Sequence, residues 1–498
     1  MNNQIKYGAI VSYIALFVNI LIGLVYSPWV IRSIGKADYG LYTLALSIIN
    51  LFVFDFGLGS AVTRFIAKYN AEGRTDKVND FIGLTIKMYL IADIVIFIIL
   101  TSIFFLIPVI YQGLTPEEVE KFKYIFVISA AFSVISFPFI PTTGILSANE
   151  QFIPLKLCDL AHKLIIVLLM SCCLLLGYGL YALVVVNSVA GIIAIALKLS
   201  FIKKYLNIKI NWRFWDREEL RAVLGFSVWV MIIAICQRSV LNLCPTILGI
   251  VSDSNAIAVF GVAITVEALI YSFANALNGL FLPKVSKMVV NNNDGAILEL
   301  MIRVGRIQIF IISLLLIGFI CVGKSFVEAW LGDAYSEVYW CVVILITPSF
   351  VYLPQEVANT AVVAKNQVRY QAYIGILKGF SNIILAFPLV KLLGVYGMAL
   401  SVFISYSISI LCSNILFQKK LNINIESFFK NTFFKFAPSL IIALLLALIA
   451  THFIYVQGWL GVVFRVIITT VIYLPIVFFG GLNKSERNLL YSIIKKRA

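Results

Sequence analysis

The chain has 498 residues, of which 61% are hydrophobic and 13% charged. That composition leaves too little polar material to cover a soluble domain of this size, so a soluble enzyme or a nucleic-acid-binding protein is excluded. The net charge of +15 is therefore read first as a distribution of cations between the two faces of a membrane.

About fourteen apolar runs are long enough to cross a bilayer. In chain order they cover residues 8–31, 39–63, 81–107, 122–147, 155–176, 178–202, 222–249, 256–281, 304–325, 337–361, 370–391, 395–417, 433–456 and 458–481. The first lacks a small-residue cleavage site and is followed by further spans, so it is expected to remain as a helix. The fold class expected is an all-α polytopic membrane protein.

With the N-terminus on the cytoplasmic side, about 28 of the 39 Lys and Arg fall on cytoplasmic segments. Arg32, Lys36, Lys121, Lys123, Lys324 and Lys391 fall outside, and Lys87, Lys163, Arg238, Lys378 and Arg465 fall within spans. Both termini are expected to be cytoplasmic. Between spans six and seven, Asp216 and Glu219 have the spacing of a capping box that opens a helix. Trp212, Phe214 and Trp215 just before it are expected at headgroup depth. After the last span, residues 483–498 form a basic tail. Its Leu489, Leu490, Ile493 and Ile494 share a helical face, which suits the anionic inner leaflet.

The eight cysteines show no metal-ligand spacing, and His162 and His452 stand alone, so no metal site or cofactor is expected. No GxxxxGK[ST] loop is present, which argues against direct use of ATP.

The chain echoes itself with a period of about 220 residues. "PWVIRSIGKADYGLYTLA" (28–45) is matched by "PTILGIVSDSNAIAVFGVA" (245–263), "ANEQF" (148–152) by "AKNQV" (364–368), and "LGYGLYAL" (176–183) by "LGVYGMAL" (393–400). These echoes divide the chain into an N-terminal six-helix lobe (1–215), a C-terminal six-helix lobe (216–430), two additional spans (431–482) and the tail. An even number of spans in each lobe makes the repeats parallel, an arrangement in which substrate binds between the halves.

Charges inside spans mark candidate sites. Arg238 and Glu267 lie near the centres of spans seven and eight, either neutralising each other or lining a wet cavity. An arginine there is permanently charged and matches phosphate oxygens with its planar fork. Lys87, Lys163 and Lys378 are further candidates for an anionic substrate, with Arg306 the repeat counterpart of Lys87. Asp159 and Lys163 are spaced as a self-paired couple near the inner end of span five. Asp55, Asp93, Asp159, Glu267 and Glu356 are the candidate acids, and Tyr271, Phe273 and Trp229 are aromatics of the kind that stack on sugar rings. Arg465 lies toward the outer side of span fourteen.

The stretch "IGKADYGLYTLALSIINLFVFDFGLGSAVTRFIAKY" (34–69) carries Gly35, Tyr39, Gly40, Tyr42, Asp55, Gly57, Gly59 and Arg64. With "LSANEQF" (146–152), "LFLPKVSKM" (280–288) and the six-plus-six-plus-two layout, it resembles the polysaccharide transport family. These are the Wzx-type flippases of the multidrug/oligosaccharidyl-lipid/polysaccharide (MOP) exporter superfamily. The resemblance implies a MATE-like two-lobed transporter and no enzymatic activity. It also implies alternating access that moves undecaprenyl-diphosphate-linked oligosaccharides, such as O-antigen, capsule or exopolysaccharide units, across a bacterial inner membrane. Arg238, Lys87, Lys378 and Lys163 are then expected to meet the diphosphate. Glu267, Asp55 and Asp93 are expected to serve as cavity acids or as sites of proton or sodium coupling, with the membrane potential as another drive. Polysaccharide polymerase and other assembly proteins are the implied partners. The alternatives are a drug or cation antiporter of the same superfamily, which favours twelve spans and an acidic cavity, and an integral-membrane enzyme of polysaccharide assembly. The second needs a catalytic cluster and an extramembrane face that the short loops do not offer.

Overall fold

The computed structural model describes residues 26–52, 58–206, 208–275, 294–365 and 367–484, with 23, 285, 288, 289, 486 and 487 besides. Most of predicted span one, Asp55 and the apolar face of the tail lie outside them. Regular structure among the described residues is helical throughout. The first half contains α1 (Ser27–Ile34), α2 (Lys36–Phe52), α3 (Leu58–Ala71), α4 (Thr75–Ile110), α5 (Pro116–Ser136), α6 (Pro141–Ala148), α7 (Phe152–Leu175), α8 (Leu180–Tyr205) and α9 (Arg217–Val251). There follow α10 (Ser254–Asn275), α11 (Asp294–Leu331), α12 (Glu337–Tyr352), α13 (Glu356–Ala364), α14 (Val368–Leu393), α15 (Val395–Leu421), α16 (Ile425–Asn431), α17 (Phe433–His452) and α18 (Gly458–Gly480).

Twelve stretches among the described residues are long and apolar enough to cross a membrane, and they coincide with predicted spans three to fourteen. Predicted span two corresponds to α2 and α3, with residues 53–57 outside the description. Leu168, Phe380 and Ile449 are among many large apolar side chains left exposed, as a lipid-facing surface requires. The chain is a multi-pass membrane protein.

Two predicted spans are broken by proline. Span four divides into α5, a short 3-10 turn at Phe137–Phe139, and α6, because Pro138 and Pro141 lack the N–H that would continue the ladder. Span ten divides in the same manner into α12, a turn at Leu353–Gln355 containing Pro354, and α13. The breaks fall at corresponding places in the two repeats, whereas the hydropathy pattern alone predicts two continuous spans.

The helices gather into two compact units, Met1–Gly261 and Val262–Ala498. In the first, α2 packs on α5 and α9, α3 on α6, and α8 on both α5 and α7. Thr115 caps α5 in a complete capping box, and the Glu118 carboxylate that closes the box also accepts from the Ser254 hydroxyl at the start of α10. Asp216 precedes α9, its carboxylate accepting from the Glu218 N–H at 2.8 Å; the Glu219 side chain, the other half of the expected capping box, lies outside the described residues. Gly40 lies so close to the Ser254 carbonyl that a Cβ there would overlap it. The neighbouring Tyr42 hydroxyl accepts from Asn187 at 3.1 Å. These family-like residues of α2 therefore act in helix packing.

In the second unit, α11 packs on α12, α17 and α18, and α15 on α12 and α14. One core gathers Leu300, Met301, Val357, Phe417 and Phe428, and another Ile309, Phe436, Ala443, Tyr473 and Val477. Arg306 is buried between them. Its guanidinium donates to both Glu486 carboxylate oxygens, at 2.6 and 3.0 Å, and to the carbonyls of Gly481 and Asn431, at 2.6 and 2.9 Å. The Phe436 ring stacks on it at 4.8 Å.

The expected counterpart of Arg306, Lys87 on α4, makes the same kind of bond. It donates to the Phe214 carbonyl at 2.9 Å and lies 5.9 Å from the Trp215 ring. Asn79 and Asp80 hold the same segment, through the Lys209 N–H at 2.9 Å and the Asn211 amide at 2.8 Å. In each unit, then, a cation on the third span of the repeat fastens the backbone that leaves its sixth span.

Candidate functional site

In the N-terminal unit, Arg238 lies midway along α9 and its side chain is exposed, with Nη1 donating to the Asn50 carbonyl at 3.3 Å. Arg238 is thus tied to the backbone of α2 and still exposed, although the Met231–Val251 stretch carrying it is apolar enough to span.

The proline break in span four borders an open cavity of about 510 Å³. Hydroxyls from Thr63, Ser136, Thr142 and Thr143 line it, with His162 and Lys198. Lys198 pairs with Asp159 at 3.2 Å and donates to Thr143 at 3.4 Å. Asp159 also pairs with Lys156 at 3.8 Å and remains an electrostatic neighbour of Lys163. Asp93 on α4 is buried, and its Oδ1 has no hydrogen-bond partner among the described residues. Lys87 is committed to the segment around Phe214.

In the C-terminal unit the break in span ten is likewise the centre of a polar group. Tyr352 and Glu356 flank it, and Glu356 accepts from the Asn359 amide at 3.0 Å. Gln371 on α14 donates to the Asn359 carbonyl at 3.0 Å. Tyr271 on α10 has both Glu267 and Glu356 as electrostatic neighbours, and Tyr352 has Glu356, Tyr271 and Tyr406. Lys378 on α14 places its ammonium 4.3 Å from the Tyr406 ring centre. Five helices, α10 and α12 to α15, thus bring together two acids, a lysine and three tyrosines inside one unit.

Of the residues singled out in the sequence, this group contains Glu267, Tyr271, Glu356 and Lys378. Tyr352, Tyr406, Asn359, Lys198 and the hydroxyls of the first cavity were missed, because a lone tyrosine, serine or threonine in an apolar span reads as packing. The signal that points to them is the pair of proline-interrupted spans at matching positions, since broken helices free backbone groups that only a polar site can satisfy.

The pattern of the polysaccharide biosynthesis protein family matches residues 5–289. The chain is 21% identical over 510 residues to the uncharacterized membrane protein EpsK of Bacillus subtilis (strain 168), with 97% of this chain and 96% of that protein covered. Among solved structures it is similar to the lipid II flippase MurJ in an inward closed conformation, with a TM-score of 0.75, 15% identity and 95% and 98% of the two chains covered. It is also similar to an inward-facing MATE multidrug transporter of the MOP superfamily, with a TM-score of 0.69, 14% identity and 79% and 92% coverage. At these identities the likeness is one of fold, the two-lobed MATE-like architecture that the family resemblance implied. With its matched stretch covering more than half of its length, the chain belongs to the polysaccharide biosynthesis protein family.

Proposed function

We propose that the protein is a flippase that carries polyprenyl-diphosphate-linked oligosaccharide units from the inner to the outer leaflet of a bacterial cytoplasmic membrane, with both termini in the cytoplasm. The observation that carries the reading is the exposed guanidinium of Arg238 midway along a span. An arginine facing hydrocarbon at that depth costs at least about 2.5–3.5 kcal/mol, so its exposure favours a water-filled path. Membership of a polysaccharide family supports a glycan as cargo, and the lipid II flippase fold supports a lipid-linked one.

In this mechanism the glycan and diphosphate pass through the polar path while the polyprenyl chain stays in lipid. Arg238 binds a diphosphate oxygen pair, held in place by its bond to the Asn50 carbonyl of α2. In the C-terminal unit Lys378 offers a second cation, and Tyr352, Tyr271 and Tyr406 offer faces and hydroxyls for sugar rings. Glu267 and Glu356 are suited to proton or sodium coupling. The membrane potential is a further drive, worth about 2.3 kcal/mol per charge at 100 mV. This chemistry needs no catalytic group and makes the protein a transporter instead of an enzyme of assembly.

The test compares lipid-linked glycans in membrane extracts by mass spectrometry, in hosts carrying the wild-type protein, none, or Arg238→Gln at equal expression. The expected result is accumulation of the complete undecaprenyl-diphosphate glycan in the second and third. Failure of the full unit to form without the protein would make it an assembly enzyme. Wild-type levels with Arg238→Gln would remove Arg238 from the substrate path.

A further inference from the structure

At one end of the C-terminal unit an open cavity of about 620 Å³ is lined by three basic side chains, Lys324 of α11, His452 at the end of α17 and Arg465 of α18. Ser325, Ser336 and Tyr396 add polar groups, and Tyr339 and Trp340 form an aromatic wall. We propose that this cavity binds the phosphate-bearing headgroup of an anionic membrane lipid. The site lies within a single unit and does not depend on the transport reading.

Lys324 and Arg465 concentrate positive charge here, and among the described residues neither they nor His452 has a carboxylate within ion-pair distance. Glu337 is an electrostatic neighbour of Tyr396, and Glu328 follows Lys324 by one turn of α11.

Arg465 is held in place for a ligand. Its Nη2 donates to the Ile454 carbonyl at 2.6 Å and its Nη1 to the Val456 carbonyl at 3.2 Å, so the loop between α17 and α18 fixes the plane of the guanidinium. Those bonds leave Nε and further N–H groups for an anion with more than one oxygen. Lys324 is exposed and adds a mobile point charge.

The setting selects a lipid over a soluble ion. The cavity lies where α11 and α17 end and α12, α15 and α18 begin, which is the headgroup level of a spanning bundle. Arg465 is two turns into α18, about 10 Å below the helix start. Trp340, Tyr455 and Trp459 are exposed around it, an arrangement typical of the membrane interface. Ile320 and Leu448 supply apolar wall below the cations, where acyl chains would leave the site.

The experiment uses the full chain purified in an uncharged detergent. Native mass spectrometry and thermal unfolding then follow titration with phosphatidylglycerol, with phosphatidylcholine of the same acyl chains, or with inorganic phosphate. Wild type is expected to bind phosphatidylglycerol about tenfold or more tightly than phosphatidylcholine, the effect of charge-assisted hydrogen bonds, and to unfold at a higher temperature with it. Lys324→Gln, an exposed change that leaves the loop intact, and Arg465→Lys, which keeps the charge but not the fork, are each expected to lose most of that preference. Equal binding of the two lipids, or an unchanged preference in Lys324→Gln, would overturn the proposal. Saturation by inorganic phosphate at the same affinity would overturn the lipid as its source.

Discussion

The Glu486 carboxylate, 8% exposed beside Arg306, loses its bidentate partner when Arg306 is replaced by methionine and keeps the Asn483 N–H at 2.7 Å. Breaking a buried pair from one side costs about 3–5 kcal/mol, since the remaining charge is desolvated without compensation. The lost bonds to the Gly481 and Asn431 carbonyls, at 2.6 and 2.9 Å, place the expectation at the upper end of that range. For a unit of this size each kcal/mol lowers the melting temperature by about 2–4 °C, so Arg306→Met should melt about 10–20 °C below wild type. Glu486→Gln keeps an acceptor for the guanidinium and should cost less. The double variant Arg306→Met/Glu486→Gln removes both charges and should recover at least about 2 kcal/mol relative to the sum of the single changes. Fluorescence-detected size-exclusion chromatography of heated, detergent-solubilised protein reads all four chains under one condition. Single variants within about 2 °C of wild type, or losses that merely add in the double variant, would refute the assignment of Arg306 and Glu486 as a coupled buried pair.

Gly40→Val should lower the yield of folded protein and cost about 1–3 kcal/mol, because the new side chain meets the Ser254 backbone and not a side chain that can turn away; thermal unfolding checks it, with Gly35→Val expected to act through backbone strain at its φ of 91° and not through crowding. Thr115→Ala removes the side-chain half of the box that caps α5 and should cost about 1 kcal/mol, whereas Thr115→Ser should cost almost nothing by the same measurement. Lys87→Met should release the stretch around Phe214, so that limited trypsin digestion cuts faster at Lys209 and Arg213 while other sites keep their rates. A cleavage pattern identical to wild type would show that Asn79 and Asp80 hold the segment without Lys87.

Hydropathy locates the later spans within a few residues because each must present an apolar surface to lipid whatever its neighbours are. Helix lengths are less legible: α4 begins at Thr75 and α11 at Asp294, before the apolar windows at 81 and 304, since polar turns beyond the hydrocarbon remain helical. The breaks after α5 and α12 follow from Pro138, Pro141 and Pro354, residues that a window average conceals among strongly apolar neighbours. Arg238, Glu267 and Lys378 were legible as costly charges in apolar runs, and their locations could be named without knowing the fold. Their surroundings could not. The bond from Arg238 to Asn50 joins residues 188 apart, and the ring beneath Lys378 comes from the next span. Arg306 and Lys87 looked alike by position, yet only the folded chain distinguishes a fully buried ion pair from a lysine on a carbonyl.

The two latches occupy matching places in the two units. Lys87 reaches the carbonyl of Phe214 and Arg306 that of Asn431, and both donor and acceptor recur after about one repeat length. In the second unit the lysine's place is taken by an arginine that also reaches Gly481 and Glu486, so one side chain ties the last helices to α11 as well. In the first, the tie makes residues 209–214 travel with the N-terminal body, so slack for any rocking motion has to be found beyond Asp216 and not in the stretch that looks like a linker.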